Sequence, residues 1–225
     1  MKKLYLIGDS VMKGVIYKGG TGLCSYGLCD REAGKALTDS GFDVTNRSRM
    51  GATVVFCRDN LDKFLIDKPD SNFKLLFEYG GNDSDFHWDE VSANPEGKHS
   101  PLTSPEDFCR IYRDNIARAR EAGAEVAVAN LIPIDSVKYF KKISTGLNAD
   151  AILSWLGDIS MLYRWHEFYN SLVEKTAAEC GCKLIDLRST FLLSHNYQNL
   201  MSADGIHPTE EGHRLIRETI AAKLG

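Results

Sequence analysis

Four short stretches carry residues whose types could do chemistry together. Gly8-Asp9-Ser10 puts a hydroxyl straight after an apolar run, residues 3–7, that reads as a strand. A serine hydroxyl is a weak nucleophile and attacks a carbonyl only when a base takes its proton. Alone, Ser10 reads equally as a helix N-cap, a common place for serine. Asp204-Gly205-Ile206-His207-Pro208 offers the base. Asp and His three apart in a turn can face each other across a glycine, and the carboxylate then fixes the imidazole tautomer and stabilises its charged form. Pro208 disfavours a helical conformation at His207. Alone, this stretch also reads as a solvated loop. Gly80-Gly81-Asn82-Asp83 follows a third strand-like run. An amide there can donate to a developing oxyanion, and the glycines allow close approach of substrate, although the same residue types make ordinary turns. Met50-Gly51-Ala52, after a second strand-like run, adds a glycine N–H as a further possible donor.

These stretches matter together only if a scaffold brings them to one place. Strand-like runs at 3–7, 43–46, 74–79, 125–131 and 183–186 are short and mostly apolar, as a sheet covered on both faces requires. Between them the pattern is helical near 24–39, 53–66, 105–122, 161–180 and 209–223. Ser104-Pro105-Glu106-Asp107 is a helix start with proline in the first turn and acids at the positive end of the dipole, and Thr209 reads as the cap of the last helix. Five β-then-α units predict an α/β fold with a mainly parallel sheet, in one domain spanning residues 1–225. The connections at 80–103 and 132–160 are longer than simple loops should be. Both follow carboxyl ends of strands, the side on which open α/β sheets bind ligands, so they are expected to shape a pocket.

With these four blocks in this order, the sequence resembles the SGNH hydrolases, also called GDSL-type esterases and lipases. The resemblance runs from residue 8 to about 213 and departs from the family's short name at Val11, where that name has leucine. It implies a flavodoxin-like three-layer α/β/α sandwich with a five-stranded parallel sheet. It further implies Ser10 as nucleophile, His207 as general base and Asp204 as its orienting acid. The oxyanion hole would be the Ser10 N–H, the Gly51 N–H and the Asn82 amide, with Gly51 assigned by position alone. Neither a metal nor an organic cofactor is implied. The G-x-S-x-G elbow of ordinary α/β-hydrolases is not matched by Gly8-Asp9-Ser10-Val11-Met12.

Composition narrows the remaining classes. The chain has 225 residues, with 27 basic against 31 acidic side chains and a formal charge of −4, so it has no electrostatic footprint for nucleic acid. No apolar run approaches the ~20 residues of a membrane span. The charged start, Met1-Lys2-Lys3, leads into an apolar run that stops at Gly8, too short for a signal segment, so a cytoplasmic protein is expected. Six cysteines lack zinc-type spacing in a chain large enough to need no staples, and read as free, mostly buried thiols.

The substrate is less legible. Trp88, Trp155, Trp165 and Tyr163 lie in or beside the two long connections and either pack them down or stack on a sugar ring. The expectation is a carboxylic ester with a small acyl group, acetyl on a carbohydrate being one case. The alternatives are a lipase or thioesterase-type acyl hydrolase, or a ligand-binding module on the same fold. The run 151–156 reads as either an interfacial patch or a buried helix. Asp85, Asp89 and Glu90 read as loop-solvating acids. His87, His99, His166, His195 and His213 read as surface or packing residues, with His87 near enough to Asn82 to approach the pocket. Oligomeric state is not legible.

Overall fold

The computed structural model describes residues 1–20, 25–29, 32–68 and 72–225. Its strands are β1 (Lys2–Gly8), β2 (Val15–Tyr17), β3 (Tyr26–Leu28), β4 (Phe42–Asn46), β5 (Phe73–Glu78), β6 (Ala124–Ala129) and β7 (Lys183–Ile185). Its helices are α1 (Ser10–Lys13), α2 (Glu32–Asp39), α3 (Val54–Phe64), α4 (Trp88–Ala93), α5 (Pro105–Glu121), α6 (Ser136–Ile143), α7 (Ala149–Leu156), α8 (Ser160–Glu179), α9 (Leu187–Leu192) and α10 (Glu210–Leu224).

Five strands form one parallel sheet in the order β4-β1-β5-β6-β7. In chain order this is the flavodoxin-like arrangement 2-1-3-4-5, whose order reverses between β1 and β5. Alternation along each strand divides the core. Tyr5, Ile7, Leu75 and Phe77 point to one face and pack against Leu61 of α3, Tyr112 of α5 and Val173 of α8. Leu4, Leu6 and Leu76 point to the other and pack against Leu37 of α2 and Ile220 of α10. Burial on both faces is why the strands read as nearly continuous apolar runs rather than alternating ones.

Helix ends follow their capping chemistry. Ser104 Oγ accepts from Asp107 N at 3.2 Å ahead of Pro105, and Thr209 Oγ1 accepts from Gly212 N at 3.3 Å.

Three expectations need correction. Of the helical stretch expected near 24–39, α2 covers Glu32–Asp39, and Tyr26–Leu28 is instead a strand paired antiparallel with β2, Tyr17 opposite Tyr26 with ring centroids 5.2 Å apart. A three-residue run gives no usable period, so only its cross-strand partner makes it β. The connection at 132–160 carries two helices, α6 and α7, rather than one, each capped by a side chain (Asp135, Asn148) that accepts from the first turn. Among the cysteines, Cys57 is buried while Cys109, Cys180 and Cys182 are half-buried unbridged thiols; Cys24 lies outside the described residues.

Candidate active site

The nucleophile candidate stands where β1 leaves the sheet. Asp9 Oδ1 accepts from Val11 N at 2.8 Å and caps α1, so the capping role considered for Ser10 belongs to Asp9. Ser10 is the first residue of that helix, where no intrahelical carbonyl is available to its N–H.

The base reaches it from the far end of the chain. His207 Nε2 lies 2.9 Å from Ser10 Oγ, and His207 Nδ1 lies 2.6 Å from Asp204 Oδ2. A carboxylate only accepts, so Nδ1 carries the imidazole proton and the Nε2 lone pair faces the serine hydroxyl. The other Asp204 oxygen accepts from Ile206 N at 3.2 Å and His207 N at 3.1 Å, closing the turn on itself. Ser202 N donates to His207 O at 2.7 Å, which fixes the backbone behind the ring. Gly205 sits at φ 78°, and a Cβ there would lie 2.5 Å from Asp135 O and 2.6 Å from Tyr139 N. The turn is thereby pressed against the start of α6, and Gly205 O accepts from Asp135 N at 2.8 Å. From the hairpin, the Tyr26 ring meets His207 edge-on at 5.3 Å.

Opposite the base, Asn82 Nδ2 donates to Asp9 Oδ2 and to Ala52 O, each at 3.1 Å. The amide is thus held between the loops after β1, β4 and β5. Both of its protons are engaged, so an oxyanion would share one of them or displace the Ala52 carbonyl. Gly51 is exposed at φ 73°, on the turn that Ala52 N closes by donating to Arg49 O. Gly51 is next to the Asn82 contact but does not line the cavity.

Two buried acids support this end of the site. Burial and the adjacent Asp9 push the Glu78 carboxyl well above the usual carboxylate range, so Glu78 holds a proton and hydrogen-bonds to Asp9. Asp83 accepts from Val54 N at 3.1 Å and Thr103 Oγ1 at 2.7 Å, tying both ends of the long 84–102 connection to α3; burial pushes its carboxyl up to about 7.

Beside Ser10 and His207 opens a cavity, built largely by the two long connections. Its wall is aromatic. Phe86 meets Trp155 at 4.9 Å and Trp88 at 5.6 Å, both edge-on, and Trp165 at 5.8 Å. The indoles are held by the protein itself, Trp88 Nε1 donating to Asp85 Oδ1 at 2.7 Å and Trp165 Nε1 to Ser84 O at 2.9 Å. The tryptophans therefore pack the connections and line the cavity at once. The run 151–156 is all of α7 but its first two residues, with Ile152 fully buried and Trp155 and Leu156 in the cavity wall.

Two side chains belong to the cavity although the sequence placed them elsewhere. Asp85 is not a solvated loop acid: it lines the cavity and anchors Trp88 and the Phe86 N–H. His166 also lines it, and burial pushes its imidazole down to about 3. Its signal was helical spacing, since Leu162, His166, Tyr169 and Asn170 share the buried face of α8. His87 is exposed and does not line the cavity; His213 is buried with Nε2 2.9 Å from Val15 O. Among the described residues, no group of three or more His, Cys, Asp or Glu side chains could hold a metal ion, and no helix is long and apolar enough to cross a membrane.

The sheet order, with a serine, an imidazole and a carboxylate in line at its carboxyl edge, defines the class as a flavodoxin-like hydrolase fold. Residues 6–215 match the GDSL-like Lipase/Acylhydrolase family, and the chain belongs to that family, whose enzymes hydrolyse ester bonds. It is 25% identical over 218 residues to the GDSL esterase/lipase WDL1 of Oryza sativa subsp. japonica, covering 96% of this chain and 74% of that protein. Among solved structures it resembles a lipase/acylhydrolase from Enterococcus faecalis, with a TM-score of 0.68 at 17% identity over 100% of this chain and 95% of that one. An acetylxylan esterase from Geobacillus stearothermophilus, Axe2, gives a TM-score of 0.66 at 17% identity, over 100% and 94%.

Proposed function

We propose that the protein is a serine esterase working through an acyl-serine intermediate. The observation that carries this reading is the unbroken line Asp204–His207–Ser10, with contacts of 2.6 and 2.9 Å. His207 takes the Ser10 proton as Oγ attacks the ester carbonyl, and Asp204 stabilises the imidazolium. The tetrahedral oxyanion is received by the Ser10 N–H at the start of α1, by the Gly51 N–H and by the Asn82 amide. His207 then protonates the departing alcohol, and a water activated by the same imidazole releases the acid.

The substrate is a small-molecule or carbohydrate ester. A compact acyl group, acetyl on a sugar among them, is supported by the fold shared with an acetylxylan esterase. A larger apolar acyl group is favoured by the aromatic wall of the cavity beside Ser10. Hydrolysis of p-nitrophenyl esters from acetate to long chains, by wild type and Ser10→Ala side by side, tests the assignment. Turnover that Ser10→Ala abolishes supports it, and the preferred chain length separates the two substrate readings. Turnover retained by Ser10→Ala sinks it. Failure of wild type to react with a serine-directed fluorophosphonate would instead favour a ligand-binding module.

A further inference from the structure

The aromatic cavity contains one polar side chain whose arrangement the catalytic scheme leaves unexplained. His166 is 8% exposed and lines the cavity from α8, and its Nδ1 is sealed with no hydrogen-bond partner. Its neighbours in the wall are different. Trp88, Trp165, Asp85 and Ser84 all have their polar atoms bonded within the protein. A buried polar atom without a partner is costly, so native structures keep few of them.

The two ring nitrogens are not equivalent. Nδ1 is buried without a partner, whereas Nε2 is not sealed in this way, and the cavity is the open space that His166 borders. The ring stays neutral because burial holds its pKa down at about 3. Of the two neutral tautomers, the one with its proton on Nε2 is favoured, since that N–H can find an acceptor in the cavity while an N–H on Nδ1 could not. Beside indoles whose N–H groups are already engaged, His166 thus presents an unengaged hydrogen-bond donor to the cavity.

We propose that His166 is the specificity-determining residue of an acyl site that takes an acyl group with an apolar body and an oxygen that reaches His166. This inference rests on the esterase reading above. An acyl group ending in methyl leaves the His166 N–H without an acceptor, and one ending in hydroxyl supplies it. A site built to hydrogen-bond a substrate oxygen rejects the analogue lacking it far more strongly than an apolar pocket senses one methylene.

The test compares p-nitrophenyl esters of ω-hydroxyacyl groups with alkyl esters of equal heavy-atom count, over a range of lengths. Wild type is expected to prefer the hydroxyl-ended ester at one length by about tenfold or more in kcat/KM. In His166→Phe that preference should collapse to about one, because Phe keeps the ring and removes the donor. His166→Gln, which restores an N–H, should recover part of it. Each ratio is taken within one protein, so a general loss of activity or fold cancels. A wild type that favours the alkyl ester at every length, as it would if only water met His166, overturns the proposal. So does a preference that survives in His166→Phe. Failure of the esterase reading looks different: acetate and all longer esters would then be hydrolysed equally by wild type and Ser10→Ala, or by neither.

Discussion

Asp9 and Asn82 stand 73 positions apart and meet at 3.1 Å, Oδ2 accepting from Nδ2. The contact joins the loops after β1 and β5, the two strands between which the sheet order reverses. It sets the plane of the Asn82 amide before any substrate arrives, and preorganisation of that kind is what makes a donor effective toward an oxyanion. Removing the amide in Asn82→Ala should lower kcat by about 10²–10³. Asp9→Asn, which keeps the shape but replaces the carboxyl acceptor, should cost less. Steady-state kinetics on a p-nitrophenyl ester measures both, and an unchanged kcat in Asn82→Ala would remove Asn82 from the oxyanion hole.

The Ser10–His207–Asp204 line predicts a graded loss. Ser10→Ala should reduce kcat by roughly 10⁶. Asp204→Asn should reduce it by about 10⁴, because an amide allows the wrong imidazole tautomer. Equal, small effects of the two would show that the line is structural only.

Gly205 links catalysis to packing. Alanine there would adopt a left-handed φ and place Cβ 2.5 Å from Asp135 O, a backbone atom that cannot swing aside. The strain of the backbone alone is worth about 1–2 kcal/mol. Gly205→Ala should therefore lower the urea midpoint and, by shifting Asp204 relative to His207, lower kcat as well. A variant with wild-type stability and kcat would show that the turn is not clamped by α6.

Two buried groups give opposite acid responses. The His213 imidazole, held down at about 4 by burial, resists protonation in the folded state, so its contribution falls as pH drops from about 6.5 toward 4. The Asp83 carboxyl, pushed up to about 7, binds a proton in the folded state that the unfolded chain releases above about 4. It adds stability as pH falls through 7. His213→Leu should therefore remove an acid-side loss on the order of 2–3 kcal/mol, and Asp83→Asn should remove an acid-side gain. Urea midpoints at pH 7 and 4.5 for each variant against wild type measure the two slopes; slopes of the same sign would contradict the burial argument.

The amino-acid sequence by itself determined the five parallel strands, the capped helices after them, the three blocks at strand ends and the fourth before the last helix. These are local properties: apolar runs, turn residues and caps act over a few positions. Because parallel strands all end at one edge, motifs directly after three of the strands already imply that those motifs converge. Tertiary structure alone decided what each side chain meets. Tyr26 became a strand residue against Tyr17, Asp9 rather than Ser10 took the cap, and Gly51 stayed exposed beside the Asn82 contact. Asp85 and His166 entered the cavity because α4, α7 and α8 close over them. Helical spacing marks His166 as buried but not the cavity it borders, and no period around Asp85 records the partners, far along the chain, that bury it.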